Sequence, residues 1–257
     1  MNISIHFDNA LRQRINDDMT MRKLATKTQI AYIRAINKLC EYLQHSPETA
    51  TDEELREFQL FMVNNGDSGI TINATLTGLR FLFQTTLNKP EVVAKMSTVS
   101  VARTLPVVLN LDEARRFIQA APHPKFKAAL AVAYGAGLRV SEVVALKVSD
   151  IDSKRMVLRV EQGKGSKDRY AMLSPALLQL LRNWWSFANK HGQMFKNGWL
   201  FPGLNPINHM TARHLSRICK ATAFDAGIRK NVSMHSLRHY VPFLTMSVNV
   251  KYTADRP

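Results

Sequence analysis

Apolar residues keep a helical rhythm through the first ninety residues of the chain. They lose it between Lys95 and Leu105 and resume in a different pattern afterwards. Across Thr28–Leu43, Ile36, Leu39, Cys40 and Leu43 fall at i, i+3, i+4 and i+7, one stripe on one helix face. Pro47 interrupts that run. Thr51 followed by Glu54 has the form of a capping box, and Leu55, Phe58 and Met62 make the next stripe. Asn64–Gly69 is turn-forming, and Ile72, Leu76, Leu79 and Phe83 continue a further helix. Short helices joined by polar turns predict a compact four-helix unit over roughly residues 8–90, inside a first domain of residues 5–94.

Residues 95–105 carry Ser, Thr and basic side chains without an apolar period, which predicts an interdomain linker closed by Pro106. Asn110 with Glu113 three positions on predicts the cap of a new helix. Beyond it the pattern mixes. Phe126, Ala129, Leu130 and Ala133 form a helical stripe that Ala136-Gly137 ends, and Val140–Leu146 reads as a short helix. Met156–Val160 and Arg169–Leu173 are strand-like and joined by a polar, Gly-containing stretch, which predicts a β-hairpin. Pro175 opens a helix with Leu177, Leu180, Leu181 and Trp184 on one face, and Leu215, Ile218 and Cys219 mark another. The expected fold is mainly α with a small β-hairpin or sheet: a helical N-terminal domain, then a mixed α+β domain over 106–257.

Charge separates the two parts as sharply as periodicity does. Residues 1–105 hold 12 Lys/Arg against 11 Asp/Glu, and residues 106–257 hold 23 against 9. The whole chain is formally +15. A cationic surface of that size favours polyanions, with nucleic acid first and an anionic membrane second. A solvated basic face, as in general RNA-binding proteins, accounts for the charge equally well by itself. Cys40 and Cys219 sit far apart within helical patterns, so neither a disulfide framework nor a zinc site is expected. No signal-peptide pattern and no stretch of ~18 apolar residues is present, which leads to the expectation of a cytoplasmic protein without a membrane partner.

Three basic stretches carry the chemistry. They are Ala136-Gly137-Leu138-Arg139-Val140-Ser141-Glu142, Gly163-Lys164-Gly165-Ser166-Lys167-Asp168-Arg169 and His235-Ser236-Leu237-Arg238-His239. Breaking a phosphodiester builds negative charge on the non-bridging oxygens. Arg meets two of them with a planar fork that stays protonated. Arg139 follows a Gly turn at the start of a short helix, where backbone N–H groups also favour an anion. Taken singly, it reads more readily as a surface ion-pair residue. Lys164, between two glycines at the hairpin tip, could protonate a leaving oxygen, balance charge, or be a solvated turn residue. His235 and Arg238 share a face if their segment is helical, offering an acid–base group and a second phosphate clamp. His235 and His239 at i, i+4 also invite a metal reading. Ser236 stands where the zinc-protease pattern has Glu, and no third ligand is in view, so no metal and no cofactor are expected.

In order and wording the three boxes resemble the tyrosine recombinase family, the phage integrases and dimer-resolving recombinases. The likeness extends over about residues 5–240 and includes the Leu105-Pro106…Leu109…Asp112-Glu113-Ala114 entry. The resemblance implies a helical core-binding domain that clamps the duplex, followed by a catalytic domain. It implies that Arg139 and Arg238 hold the scissile phosphate, Lys164 is the general acid, His235 assists proton transfer and Glu142 is a buried structural partner. The implied reaction is site-specific DNA recombination or integration through a phosphotyrosyl intermediate, with double-stranded DNA as partner and a homo-oligomer, dimer or tetramer, on it. Covalent catalysis of this kind splits one hard displacement into two easier ones.

The segment after Arg238 departs from the family pattern. Only 19 residues follow it, with Pro242 early among them, where the family runs through two further helices to a second histidine and then the nucleophile. The catalytic domain is therefore expected to be truncated or altered after about residue 240. Tyr252, followed by Thr253, is the candidate nucleophile; Tyr240 is too close to Arg238. The alternative is a catalytically incomplete, recombinase-derived protein that occupies DNA sites without strand exchange. Three ordered boxes argue against a general nucleic-acid-binding protein with chance motifs.

Overall fold

The computed structural model describes residues 8–102, 107–161, 168–195 and 197–240. They fall into two compact units, one before residue 105 and one after it.

In the first unit, α1 (Asn9–Met21) lies before the first stripe read from the sequence and buries Leu11, Ile15 and Met19, while α2 (Thr26–Leu43), α3 (Asp52–Asn64) and α4 (Gly69–Arg80) follow the helical stripes. The capping box forms as expected: Glu54 N–H donates to the Thr51 hydroxyl at 3.2 Å, and Thr51 N–H donates to Glu54 Oε2 at 2.8 Å. Leu55, Phe58 and Met62 of α3 are fully buried with Ile36, Leu39 and Cys40 of α2 and Leu76 and Leu79 of α4. Helices α2 and α4 approach closely because position 78 is glycine. A Cβ there would stand 2.9 Å from the Ala35 Cβ and 3.2 Å from the Tyr32 Cα. After Arg80 the helix widens into a π-type turn over Phe81–Thr86, which still buries Leu82 and Phe83.

The stretch from Lys95 to Val99 has no apolar period because it is held by polar ties. Lys95 pairs with Asp52 at 2.6 Å. The Gln59 amide bonds the backbone of Ser97 in both directions, and the Asn73 amide does the same at Val99. Arg80 donates to the Met96 carbonyl at 3.0 Å, and the Met96 side chain is buried.

The second unit is built around α6 (Pro124–Gly135), in which every residue from Ala128 to Ala133 is buried. A helix apolar on all sides belongs in the middle of its domain. It packs against α8 (Pro175–Lys190), α5 (Leu111–Gln119), α9 (Ala212–Asp225) and the short α7 (Val140–Val144). Trp184 of α8 is fully buried, and its indole N–H donates to the Leu200 carbonyl at 2.8 Å. Burying a side chain of that size adds roughly 2–3 kcal/mol. The expected hairpin is β2 (Val157–Val160) against β3 (Arg169–Met172), antiparallel, with Val160 opposite Arg169. A further short strand, β1 (Ile151–Asp152), extends it to a three-stranded sheet of order β1-β2-β3. At two residues, β1 is too short to show a period-2 pattern in sequence. The fold is mainly helical with one small antiparallel sheet, as expected from the sequence. Among the described residues no helix is long and apolar enough to cross a membrane.

Candidate active site

The first candidate side chain is presented by the end of α6. Ala136 N–H closes on the Val132 carbonyl, and Gly137 then adopts φ +64°, the left-handed conformation that glycine takes without steric cost. The chain reverses, Leu138 drops into the core, and Arg139 stands in extended conformation as the cap of α7. Glu142, one turn on, reaches back to it.

The Glu142 side chain is only 5% exposed, and its carboxylate accepts four hydrogen bonds. Oε1 accepts from Arg139 Nη1 at 2.7 Å and from Arg169 Nη1 at 3.1 Å. Oε2 accepts from the Arg139 backbone N–H at 2.7 Å and from Arg169 Nη2 at 2.9 Å. A carboxylate offers roughly four lone-pair sites, so this one is saturated. Burial pushes the Glu142 carboxyl up, but the Arg169 fork and then the Arg139 backbone and side chain outweigh it and hold the group below its ordinary range. The sequence expectation that the start of α7 offers free N–H groups to an anion meets an internal competitor here, since Glu142 takes the Arg139 N–H.

The second arginine arrives from the other end of the unit. Ser233 and Ser236 exchange backbone-to-hydroxyl hydrogen bonds of 2.9 and 3.2 Å, which set a tight turn. Arg238 lies in the 3-10 helix Ser236–Tyr240, with its N–H on the His235 carbonyl at 3.2 Å. Leu237 is buried and fastens the helix, which packs on α6. Burial is the main cause holding Arg238 below its ordinary proton affinity. The positive charge of Arg139 adds to it, Glu142 opposes it, and Arg169 adds again. Among the described residues, the guanidinium groups of Arg139 and Arg169 bond the Glu142 carboxylate and Arg238 feels the charge of all three, so positive charge exceeds negative among these four side chains. Such a site attracts an anion with several oxygens.

The structure thus brings together Arg139, Arg238 and Glu142. His235 is exposed on the turn that leads into the Arg238 helix. Lys164 belongs to the connection between β2 and β3 and lies outside the described residues, as does Tyr252. Arg169 is the participant that sequence reasoning left without a role. The signal for it is the period of two in β3: Tyr170 and Met172 are exposed, which turns Arg169 to the face shared with buried Leu158 and Val160. A charged residue on an inward face needs a buried partner.

Comparison with known proteins agrees with this architecture. Residues 108–244 match the phage integrase family, and residues 11–91 match the N-terminal SAM-like domain of phage integrases. A Sinorhizobium fredii protein named as an integrase/recombinase is 37% identical over 231 residues, covering 89% of this chain and 73% of its own. The tyrosine recombinase XerD of Bradyrhizobium diazoefficiens is 29% identical over 239 residues, covering 81% of this chain and 74% of its own. Among solved structures, a lambda integrase (75–356) dimer bound to a COC′ core site superposes with a TM-score of 0.72 at 18% identity, over 93% of this chain and 87% of that one. At that identity the likeness is one of fold. The chain belongs to the phage integrase family of tyrosine recombinases, whose members are site-specific recombinases.

Proposed function

We propose that this protein binds double-stranded DNA as a homo-oligomer in the cytoplasm and recombines it at a specific site through a phosphotyrosyl intermediate. The observation that carries the reading is that Arg139 is bonded to the saturated carboxylate of Glu142 while Arg238 lies near enough to feel the charges of both, which supports excess positive charge for one phosphate. The charge of residues 106–257 supports a DNA partner, and lambda integrase in its DNA-bound dimer and tetramer supports assembly on DNA.

In this reading Arg139 and Arg238 fork onto the non-bridging oxygens and stabilise the charge that develops there. Tyr252 is the nucleophile. Its oxygen bonds to phosphorus, its proton passes to the neutral imidazole of His235, and the bond from phosphorus to the 5′-oxygen breaks. Lys164 protonates that leaving oxygen, and His235 assists proton transfer. The 5′-hydroxyl of another strand reverses the step. The first domain, residues 5–94, serves as the core-binding domain and residues 106–257 as the catalytic domain.

The test begins with a duplex selected by the full chain from a random pool. Its affinity should fall steeply with salt, because neutralised phosphates release counterions; a flat dependence removes the nucleic-acid reading. A nicked form of the same duplex should trap a covalent adduct that Tyr252→Phe abolishes. Tight, selective binding with no adduct would instead assign the chain as a site-occupying protein without strand exchange, since the arginine cluster serves binding whether or not a tyrosine acts.

A further inference from the structure

We propose that Arg169 is a positioning residue: it occupies Glu142 with both arms of its fork so that Arg139 is left free to meet the phosphate. The inference rests on the phosphate reading above and adds to it a residue outside the clamp.

The geometry is one of competition. Arg169 bonds both Glu142 oxygens at 3.1 and 2.9 Å, the paired, side-by-side arrangement that is strongest between guanidinium and carboxylate. Arg139 reaches the same carboxylate with one side-chain nitrogen, Nη1, at 2.7 Å, while its own backbone N–H takes the other oxygen. With every acceptor position filled, the carboxylate cannot draw in the rest of the Arg139 fork. Two nitrogens of Arg139 thus remain outside this carboxylate's reach. Without Arg169, the buried carboxylate would have two open acceptor positions, with Arg139 already bonded to it and Arg238 near enough to feel its charge but not bonded to it. Arg139 would satisfy it most cheaply by turning its fork onto Glu142 and away from the phosphate. Arg169 also opens β3 opposite Val160. The hairpin base and the turn bearing Arg139 are therefore tied through one carboxylate.

The test uses the selected duplex together with copies in which single central phosphates are replaced by neutral methylphosphonates. For the natural chain, neutralising the clamped phosphate should weaken binding about tenfold, the size of one charge-assisted contact. In Arg169→Gln that difference should shrink to about threefold or less, while salt-dependent binding of the unmodified duplex persists. In the double variant Glu142→Gln/Arg169→Gln, with no carboxylate left to capture Arg139, most of the tenfold difference should return. A residue that merely supported the fold would leave the double variant no better than the single one, and that result overturns the proposal. So does an Arg169→Gln variant that keeps the full tenfold difference. If Arg169→Gln does not fold, Arg169→Lys carries the same test. Its charge is kept, but a single ammonium cannot engage both oxygens as a fork, so the difference should again shrink; a wild-type difference overturns the inference. If the natural chain itself is indifferent to every phosphate, the phosphate reading fails first and takes the proposal with it.

Discussion

Arg139 and Arg238 are 99 positions apart in the chain, yet the positive charge of Arg139 helps hold the Arg238 guanidinium below its ordinary proton affinity beside Glu142. Glu142 offsets part of that repulsion in the free protein, and Arg169 adds to it. On the proposed phosphate reading, a bound polyanion offsets what remains.

Inorganic pyrophosphate should therefore stabilise the protein. A ligand at ten times its Kd adds about 1.4 kcal/mol to unfolding, and for a chain of this size that raises Tm by about 3–5 °C. Thermal melts in pyrophosphate and in sodium chloride of equal ionic strength make the comparison. Arg238→Ala should lose most of the specific increment. An equal rise in both salts would show that the cluster holds no anion.

Gly137→Ala should lower stability by about 1–2 kcal/mol, because alanine pays for the left-handed conformation that φ +64° demands. The turn also aims Arg139, so the variant should lose part of the pyrophosphate increment as well. Urea unfolding with and without the ligand checks both; an unchanged midpoint would mean that the turn relaxes freely.

His123 caps α6, its Nδ1 accepting the Lys125 N–H at 3.2 Å, which requires an unprotonated nitrogen. Burial first, then the charges of Lys125 and His191, hold its pKa below the ordinary 6.5. The unfolded chain takes up a proton as pH falls through about 6.5, while the folded protein resists it. The stability this residue contributes is whole above that pH and is lost progressively below it. His123→Asn keeps a cap acceptor and does not titrate. The difference in stability between the natural chain and the variant should therefore be constant above pH 7 and move in favour of the variant between pH 6.5 and 5.5. A difference that does not change with pH over that range would refute the cap's role.

Limited trypsin should cut after Arg103 before it cuts after Lys95. Lys95 is paired with Asp52, and the following residues are hydrogen-bonded to Gln59, Asn73 and Arg80. Cleavage follows local release of backbone rather than position in sequence. Mass spectrometry of the first fragments decides; early cleavage at Lys95 would show that these ties open readily.

Periodicity and local chemistry were sufficient for the helices that bury a stripe, for both capping boxes and for the hairpin strands, because each depends on residues a few positions apart. The same locality made Arg139, at a glycine turn, and Arg238, after a histidine, legible as candidates. Strand β1 was not legible, since two residues carry no period. Nor was the anchoring of Lys95–Val99, because side chains from two helices, 16 to 43 positions away, supply its bonds.

The sequence alone determined which residue types could meet a phosphate and the order in which the chain delivers them. Tertiary structure decided that Glu142 is shared, that Arg169 takes two of its four hydrogen bonds, and that Arg238 comes close enough to feel Arg139. The physical reason is that a buried carboxylate takes whatever donors the packing of α6, α7 and β3 brings to it. That competition is set by distance in space, which spacing along the chain does not encode.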